Sequence, residues 1–345
     1  MQELLNTLYV QTQGTVLRLD HDALQVRQEG ETRLRMPLLR LNGIVVFGRV
    51  TVTPPLIHRC ADDGRSIVWL THGGRFKARM EGPTRGNVLL RRAQHLALSD
   101  PDRPRQIARQ MVAAKIQNSR QVLLRAARDA TDPEAAAALA AGAARLAEGL
   151  GRLREAEDLD TVRGAEGDAA RTYFGVLGYA IRAEGDAFVL DGRNRRPPRD
   201  RANCVLSFLY ALVRNECVAA LEGVGLDPQV GYLHALRPGR PALALDLMEE
   251  LRAPLADRLA LVLINRRQLR PDHFEEQPGG GIYLSDEGRR IILAAYQRRK
   301  EEQVEHRVLQ QKVPWGLAPH VQARLLARHL RREMREYMPF MYRSG

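Results

Sequence analysis

A chain of 345 residues is longer than one hydrophobic core usually serves, so two domains are expected. The apolar fraction of 44% is that of an ordinary globular protein. Unbroken apolar runs, such as Phe208 to Val213, are far too short to span a bilayer, which argues against membrane insertion. Lys plus Arg number 53 against 41 Asp plus Glu, and this surplus of 12, mostly arginine, points to a polyanionic partner. An arginine- and alanine-rich composition also arises in GC-rich genomes without such a partner. Cys60, Cys204 and Cys217 are odd in number and widely spaced, so neither a disulfide framework nor a zinc site is expected, and a reducing cytoplasm fits.

Residues 1 to about 85 read as short strands at Thr7 to Gln11, Thr15 to Leu19, Ala23 to Arg27, Arg33 to Met36, Ile44 to Phe47, Ile67 to Leu70 and Phe76 to Met80. Turn signals at Gln13-Gly14, Glu29-Gly30 and His72-Gly-Gly74 separate them, and Pro55 to Asp63 is a helix closed by Gly64. This β-rich region groups no ligand-like polar residues and reads as scaffold.

From Val88 the apolar period changes from two to about 3.6, so residues 86–345 are expected to be helical. Ile107 to Ala127 and the alanine-rich Pro133 to Leu153 are the plainest helices. Asp191 to Arg201 is a proline-containing loop that would expose Arg193, Arg195, Arg196 and Arg199 to nucleic acid or to water. Gln277-Pro-Gly-Gly-Gly281 with Ile282-Tyr-Leu284 predicts a hairpin, followed by a helix capped by Ser285. The triple glycine lacks the Gly-Lys-Ser/Thr of a phosphate loop. The basic tail from Ala323 to Tyr342 ends in Met338-Pro-Phe-Met-Tyr342, which either docks a partner or folds back on its own core. The fold class is thus α+β, a β-rich domain at 1–85 followed by a larger all-α domain at 86–345.

The chemistry centres on Gly231 to Arg252. Arg237-Pro-Gly-Arg-Pro241 forbids helix and makes a tight turn just after His234. On the helix that follows, Asp246 and Glu249 share a face, while Leu243, Leu247 and Leu251 recur at core spacing; Glu250 points away, toward solvent. A histidine beside two acids in a basic chain suits a divalent metal acting on a phosphodiester. Alone, His234 reads as a satisfied loop histidine rather than a ligand, and Glu166 as an ordinary surface carboxylate.

Several segments together resemble the CRISPR adaptation integrases, the Cas-one (Cas1) family, and the wording is most similar to its I-C-type branch. They are Leu4-Leu-Asn-Thr-Leu-Tyr9, Gly43-Ile-Val-Val-Phe-Gly48, Gly86-Asn-Val-Leu-Leu-Arg-Arg-Ala-Gln94, Lys115-Ile-Gln-Asn118, Gly164 to Phe174, Asn194 to Asp200, Asn203 to Tyr210 and Gly231 to Arg252. The resemblance implies that Glu166, His234 and Glu249 bind Mn²⁺ or Mg²⁺ as the catalytic set. Many family members carry aspartate where this chain has Glu249, so Asp246 is held in reserve as a second ligand or as the acceptor that orients His234. It further implies strand transfer, in which the 3′-hydroxyl of a short duplex attacks a phosphodiester at the edge of a CRISPR repeat. With water as nucleophile the same centre would cut branched or single-stranded DNA. Arg237 and Arg240, and less directly Lys115 and Arg171, are candidates for DNA phosphate contacts. The implied partners are double-stranded and branched DNA, a second copy of the chain paired through the β-rich domain, a Cas-two dimer and a Cas-four nuclease. A non-catalytic DNA-binding architectural protein and a hydrolytic repair nuclease are the competing readings.

Overall fold

The computed structural model describes residues 7–41, 43–72, 76–80, 82, 88–182, 186–195 and 197–343. Leu4 to Asn6, Gly73-Gly74, Gly86-Asn87 and Arg196, which figure in the sequence reading, lie outside the described residues. The chain divides into two compact units, Met1–Arg85 and Gly86–Gly345.

The first unit holds two four-stranded sheets. In one, β1 (Thr7–Val10), β5 (Gly43–Phe47) and β7 (Ser66–Leu70) run parallel, and β8 (Phe76–Arg79) pairs antiparallel to β7. In the other, β2 (Val16–Asp20), β3 (Ala23–Gln28) and β4 (Glu31–Pro37) form an antiparallel meander, with β6 (Thr51–Val52) parallel to β2. Every residue of β5 is buried, as expected of a strand with parallel neighbours on both sides. Helix α1 (Pro54–Asp63) starts with proline in its first turn and ends at Gly64, whose φ of 70° is the left-handed conformation that glycine adopts without penalty. Leu56 and Cys60 on α1 join Leu17, Leu24, Ile44, Val46 and Ile67 in one core.

The second unit is mainly helical: α2 (Val88–Ser99), α3 (Arg103–Asp129), α4 (Pro133–Arg154), α5 (Leu159–Leu177), α6 (Arg201–Val224), α7 (Ala242–Glu249), α8 (Arg258–Asn265), α9 (Asp286–Glu301) and α10 (Ala318–Leu330). Helices α3, α4 and α5 pack on one another. Gly142 in α4 permits the close approach to α5, because a Cβ there would stand 2.6 Å from Val176. Asp132 caps α4, accepting from the Glu134 and Ala135 amides. Helix α6 is long and apolar enough to pass for a membrane span, yet over half of that stretch is buried, and it packs against α7, α8 and α10 as a core helix.

Two hairpins interrupt the helices. Strands β9 (Phe274–Gln277) and β10 (Gly281–Leu284) pair around the triple glycine, and Ser285 then caps α9 by accepting from the Gly288 amide at 3.2 Å. A second hairpin, β11 (Gln303–His306) with β12 (Gln311–Pro314), has no counterpart in the sequence reading, because its four-residue strands leave no alternation to detect. Beyond α10 the tail is irregular, and Tyr337, Phe340 and Tyr342 are buried: it folds back on its own core.

Candidate active site

Helix α5 begins at Leu159, where Asp158 accepts from the Thr161 amide at 2.7 Å, so Glu166 sits in mid-helix. The intervening Gly164 hides that continuity in the sequence. Helix α7 carries Asp246 and Glu249, and His234 lies on the irregular segment ahead of it.

Asp246 organises that segment. Fully buried, its Oδ2 accepts from the amides of Tyr232 (2.6 Å) and Leu233 (3.0 Å), and its Oδ1 from the amide of His234 (2.9 Å). Oδ1 also lies 2.7 Å from His234 Nδ1. A carboxylate can only accept, so Nδ1 is the donor, and in the neutral ring Nε2 carries the lone pair. The turn can close this tightly because residue 231 is glycine: a Cβ there would stand 2.7 Å from both the Ala242 carbonyl carbon and Asp246 Oδ2.

Glu249, 3% exposed, faces a different set of groups. Its Oε1 accepts from Arg252 Nη1 at 2.7 Å, and its Oε2 lies 2.7 Å from Lys115 Nζ. The pairing of Oε2 with Lys115 is ionic, without hydrogen-bond geometry. Lys115 also binds Glu166 Oε1, so two carboxylates 83 positions apart in sequence converge on one ammonium. Burial alone would raise the Glu249 carboxyl, but Arg252, Lys115 and His234 outweigh it and hold it at about 2. The same burial would lower Arg252, and the Glu249 charge raises it instead. Among the described residues no three His, Cys, Asp or Glu side chains close into a cation cage.

Behind this pair lies a buried network that the sequence reading missed. The chain from Arg252 to Asp257 makes a π-helical turn, which accommodates Pro254 and joins α7 to α8. Asp257 accepts from Tyr210 Oη (2.5 Å) and Tyr173 Oη (2.9 Å). Arg252 stacks over the Tyr210 ring at 4.3 Å, and Arg193 lies 5.2 Å from the same ring. Arg193, expected to be exposed with its loop, instead turns inward to Asn203 Oδ1 (2.6 Å) and Ser207 Oγ (2.9 Å). Those acceptors and an aromatic face compensate the guanidinium for lost water, whereas Arg195 and Arg199 remain exposed. The only sequence signal for Arg252 was its position one helical turn after Glu249.

Glu250 also departs from expectation. It is fully buried, accepting from Tyr337 Oη (2.5 Å), Phe340 N (2.7 Å) and Gln322 Nε2 (2.8 Å). Helical period turned it away from Glu249 as anticipated, but toward the folded-back tail rather than toward water. Burial pushes its carboxyl up to about 8 against the pull of those three donors. Of the candidate DNA contacts, Arg237 is exposed and Arg240 half-buried on the turn, and Arg171 is exposed beside Asp168 at 3.0 Å. Lys115 points inward to the two glutamates, not outward.

The family model for "CRISPR associated protein Cas1" matches residues 8–298. Over 343 residues the chain is 57% identical to the CRISPR-associated endonuclease Cas1 1 of Moorella thermoacetica, covering 99% of this chain and 100% of that protein. It is 50% identical over 347 residues to the CRISPR-associated endonuclease Cas1 2 of Rhodospirillum rubrum, with coverage of 99% and 100%. A CRISPR-associated exonuclease Cas4/endonuclease Cas1 fusion of Geobacter sulfurreducens is 35% identical over 342 residues, 97% of this chain and 60% of the fusion. Among solved structures, a Cas1 protein from Thermotoga maritima superposes with a TM-score of 0.79 at 23% identity, covering 94% of this chain and 96% of that one. A chain of a Cas6-RT-Cas1–Cas2 complex does so with a TM-score of 0.84 at 22% identity, covering 100% of this chain and 37% of that one. At those identities the likeness is one of fold.

Proposed function

This chain belongs to the Cas1 family of CRISPR-associated proteins, and from that premise we propose that it inserts short DNA duplexes into a CRISPR array by 3′-hydroxyl strand transfer, using a divalent ion held by Glu166, His234 and Glu249. The observation that carries the reading is the convergence of Glu166 and Glu249 on a single cationic atom. The donor set fits Mn²⁺ or Mg²⁺: two carboxylates and one imidazole whose Nδ1 is taken by Asp246, with Glu249 Oε2 buried and paired with the Lys115 ammonium. A set that does not close into a full cage suits an ion that keeps water and binds substrate phosphate oxygens. When bound, the ion would polarise the scissile phosphoryl group and offset charge on the attacking and leaving oxygens.

The protein's own groups supply the rest. Asp246 takes the outer-shell role, fixing the His234 ring and tautomer. Lys115 and Arg252 hold Glu249 ionised in a buried setting. Arg237 and Arg240, on the turn after His234, would meet DNA phosphates, which confer register rather than sequence choice. With water in place of the 3′-hydroxyl the same centre cuts DNA, in keeping with the endonuclease name of its relatives. The I-C-like branch, pairing of two chains through residues 1–85, a Cas2 dimer, a Cas4 nuclease and a cytoplasmic setting complete the proposal.

The test incubates the protein, with and without Cas2, with a supercoiled repeat-bearing plasmid, a short duplex and Mn²⁺, and sequences the new junctions. Junctions at repeat edges are expected, and alanine at Glu166, His234 or Glu249 should abolish them with little loss of duplex binding. Full joining by His234→Ala would remove the ligand assignment, and cleavage without joining would favour the hydrolytic reading.

A further inference from the structure

The C-terminal tail is bound to the back of the helix that carries Glu249. Three donors converge on the buried Glu250 carboxyl group, and two of them, Tyr337 Oη and Phe340 N, belong to the tail. The third, Gln322 Nε2 on α10, also reaches Tyr337 Oη (2.9 Å) and the Met338 carbonyl (3.2 Å). Asn118 on α3 closes a second clamp. Its Nδ2 donates to the Glu250 carbonyl (2.7 Å) and the Phe340 carbonyl (2.8 Å), and its Oδ1 accepts from the Tyr342 amide (2.8 Å). The tail is seated by its aromatic rings, with Phe340 and Tyr342 5.4 Å and 5.9 Å from Trp315 and Arg258 over Tyr342 at 5.4 Å.

These contacts bear on the metal site through the chain itself. Glu250 follows Glu249 directly, and Asn118 lies one helical turn beyond Lys115, which contacts Glu249 and Glu166. A buried carboxyl group stripped of its hydrogen-bond partners either stays unpaired at a cost or turns toward water, and either outcome shifts the end of α7. Ligand atoms must be held to about 0.5 Å to bind an ion well, so a shift of that kind is felt at Glu249.

We propose that the tail segment Tyr337–Tyr342 is a positioning element for Glu249, acting through Glu250 and Asn118. It rests on the metal-centre reading above and extends it to a part of the chain outside the proposed ligand set. Tyr337→Phe removes one donor while keeping the ring, and Glu250→Ala removes the acceptor. Glu250→Gln keeps an oxygen for Phe340 and Gln322 and offers an amide to the Tyr337 oxygen, so it serves as the conservative rescue.

The test uses the full-length chain without DNA. Mn²⁺ affinity is measured by calorimetric titration, alongside Tm and duplex affinity in EDTA. Tyr337→Phe and Glu250→Ala should weaken Mn²⁺ binding by roughly 10- to 100-fold, the range for outer-shell partners of metal ligands, with duplex affinity unchanged. Glu250→Gln should stay close to wild type. Leu293→Ala, a cavity in α9, should lower Tm and leave Mn²⁺ binding alone. Should Glu250→Ala not fold, Tyr337→Phe alone decides. Unmoved Mn²⁺ affinity in Tyr337→Phe, or an equal loss in Leu293→Ala, overturns the inference while leaving the metal centre standing. A wild-type chain that binds no Mn²⁺ overturns both.

Discussion

Two adjacent glutamates at the end of α7 have opposite electrostatic settings. Glu249 is held at about 2 by cations, so its contribution to stability is present above its ordinary value near 4.5 and is lost as pH falls from there toward 2. Glu250, raised to about 8 by burial, contributes most below 4.5 and progressively less as pH rises through 8. Urea unfolding followed between pH 5 and 9 should therefore show Glu250→Gln with a flatter decline than the parent chain; an identical slope would mean that Glu250 is already ionised in the fold. Asp246 invites a different comparison. Its removal strands three backbone amides at the His234 turn, at about 1–3 kcal/mol for each buried donor left unsatisfied. Asp246→Ala is expected to cost several kcal/mol of stability as well as activity, whereas Asp246→Asn, which still offers an oxygen, should cost much less. Equal loss in both would show that the charge, not the acceptor geometry, matters. The sequence placed Asp246 and Glu249 on one helix but could not say which faces the turn and which faces Lys115, since spacing gives direction around a helix and not what lies opposite.

Among the elements, α6 shows how a cap can organise a loop. Asp200 accepts from the Asn203 amide (2.7 Å) as an N-cap, and its second oxygen accepts from the side-chain amides of Asn194 and Asn203, both at 2.7 Å. Asp200→Ala should cost about 1–2 kcal/mol, the upper range for a lost cap, measured by chemical denaturation. It should also raise hydrogen exchange across 191–199; protection that stays put would assign the loop's order to Arg193 and Tyr210 instead. The cap of α9 was legible because Ser285 directly precedes a helical run. The β11–β12 hairpin and the π-helical turn at Arg252–Asp257 were not: the first is too short for a period, and the second depends on packing around Pro254.

At the level of the whole molecule, the units Met1–Arg85 and Gly86–Gly345 each enclose buried apolar side chains of their own. Residues 86–345 expressed alone are expected to keep a helical circular-dichroism spectrum and a cooperative melt, while losing the ability to join both ends of one duplex. Light scattering on the intact chain is the accompanying check. A monomer at micromolar concentration with paired joining intact would remove the dimerisation role proposed for the first unit.

The sequence by itself determined the α+β class, all seven expected strands of the first unit, the positions of α1, α3, α4, α7 and α9, and the family. Each of these depends on local information: periodicity, turn residues, caps and strings of characteristic residues. Only the tertiary structure decided that Lys115 joins Glu166 to Glu249, that Arg193 and Arg252 flank Tyr210, and that Glu250 is clasped by the tail. Those pairings join residues 17 to 134 positions apart. A charged side chain looks the same in sequence whether it meets water or a buried counter-charge; the choice is made by which helices pack together and by the cost of leaving a buried charge unpaired.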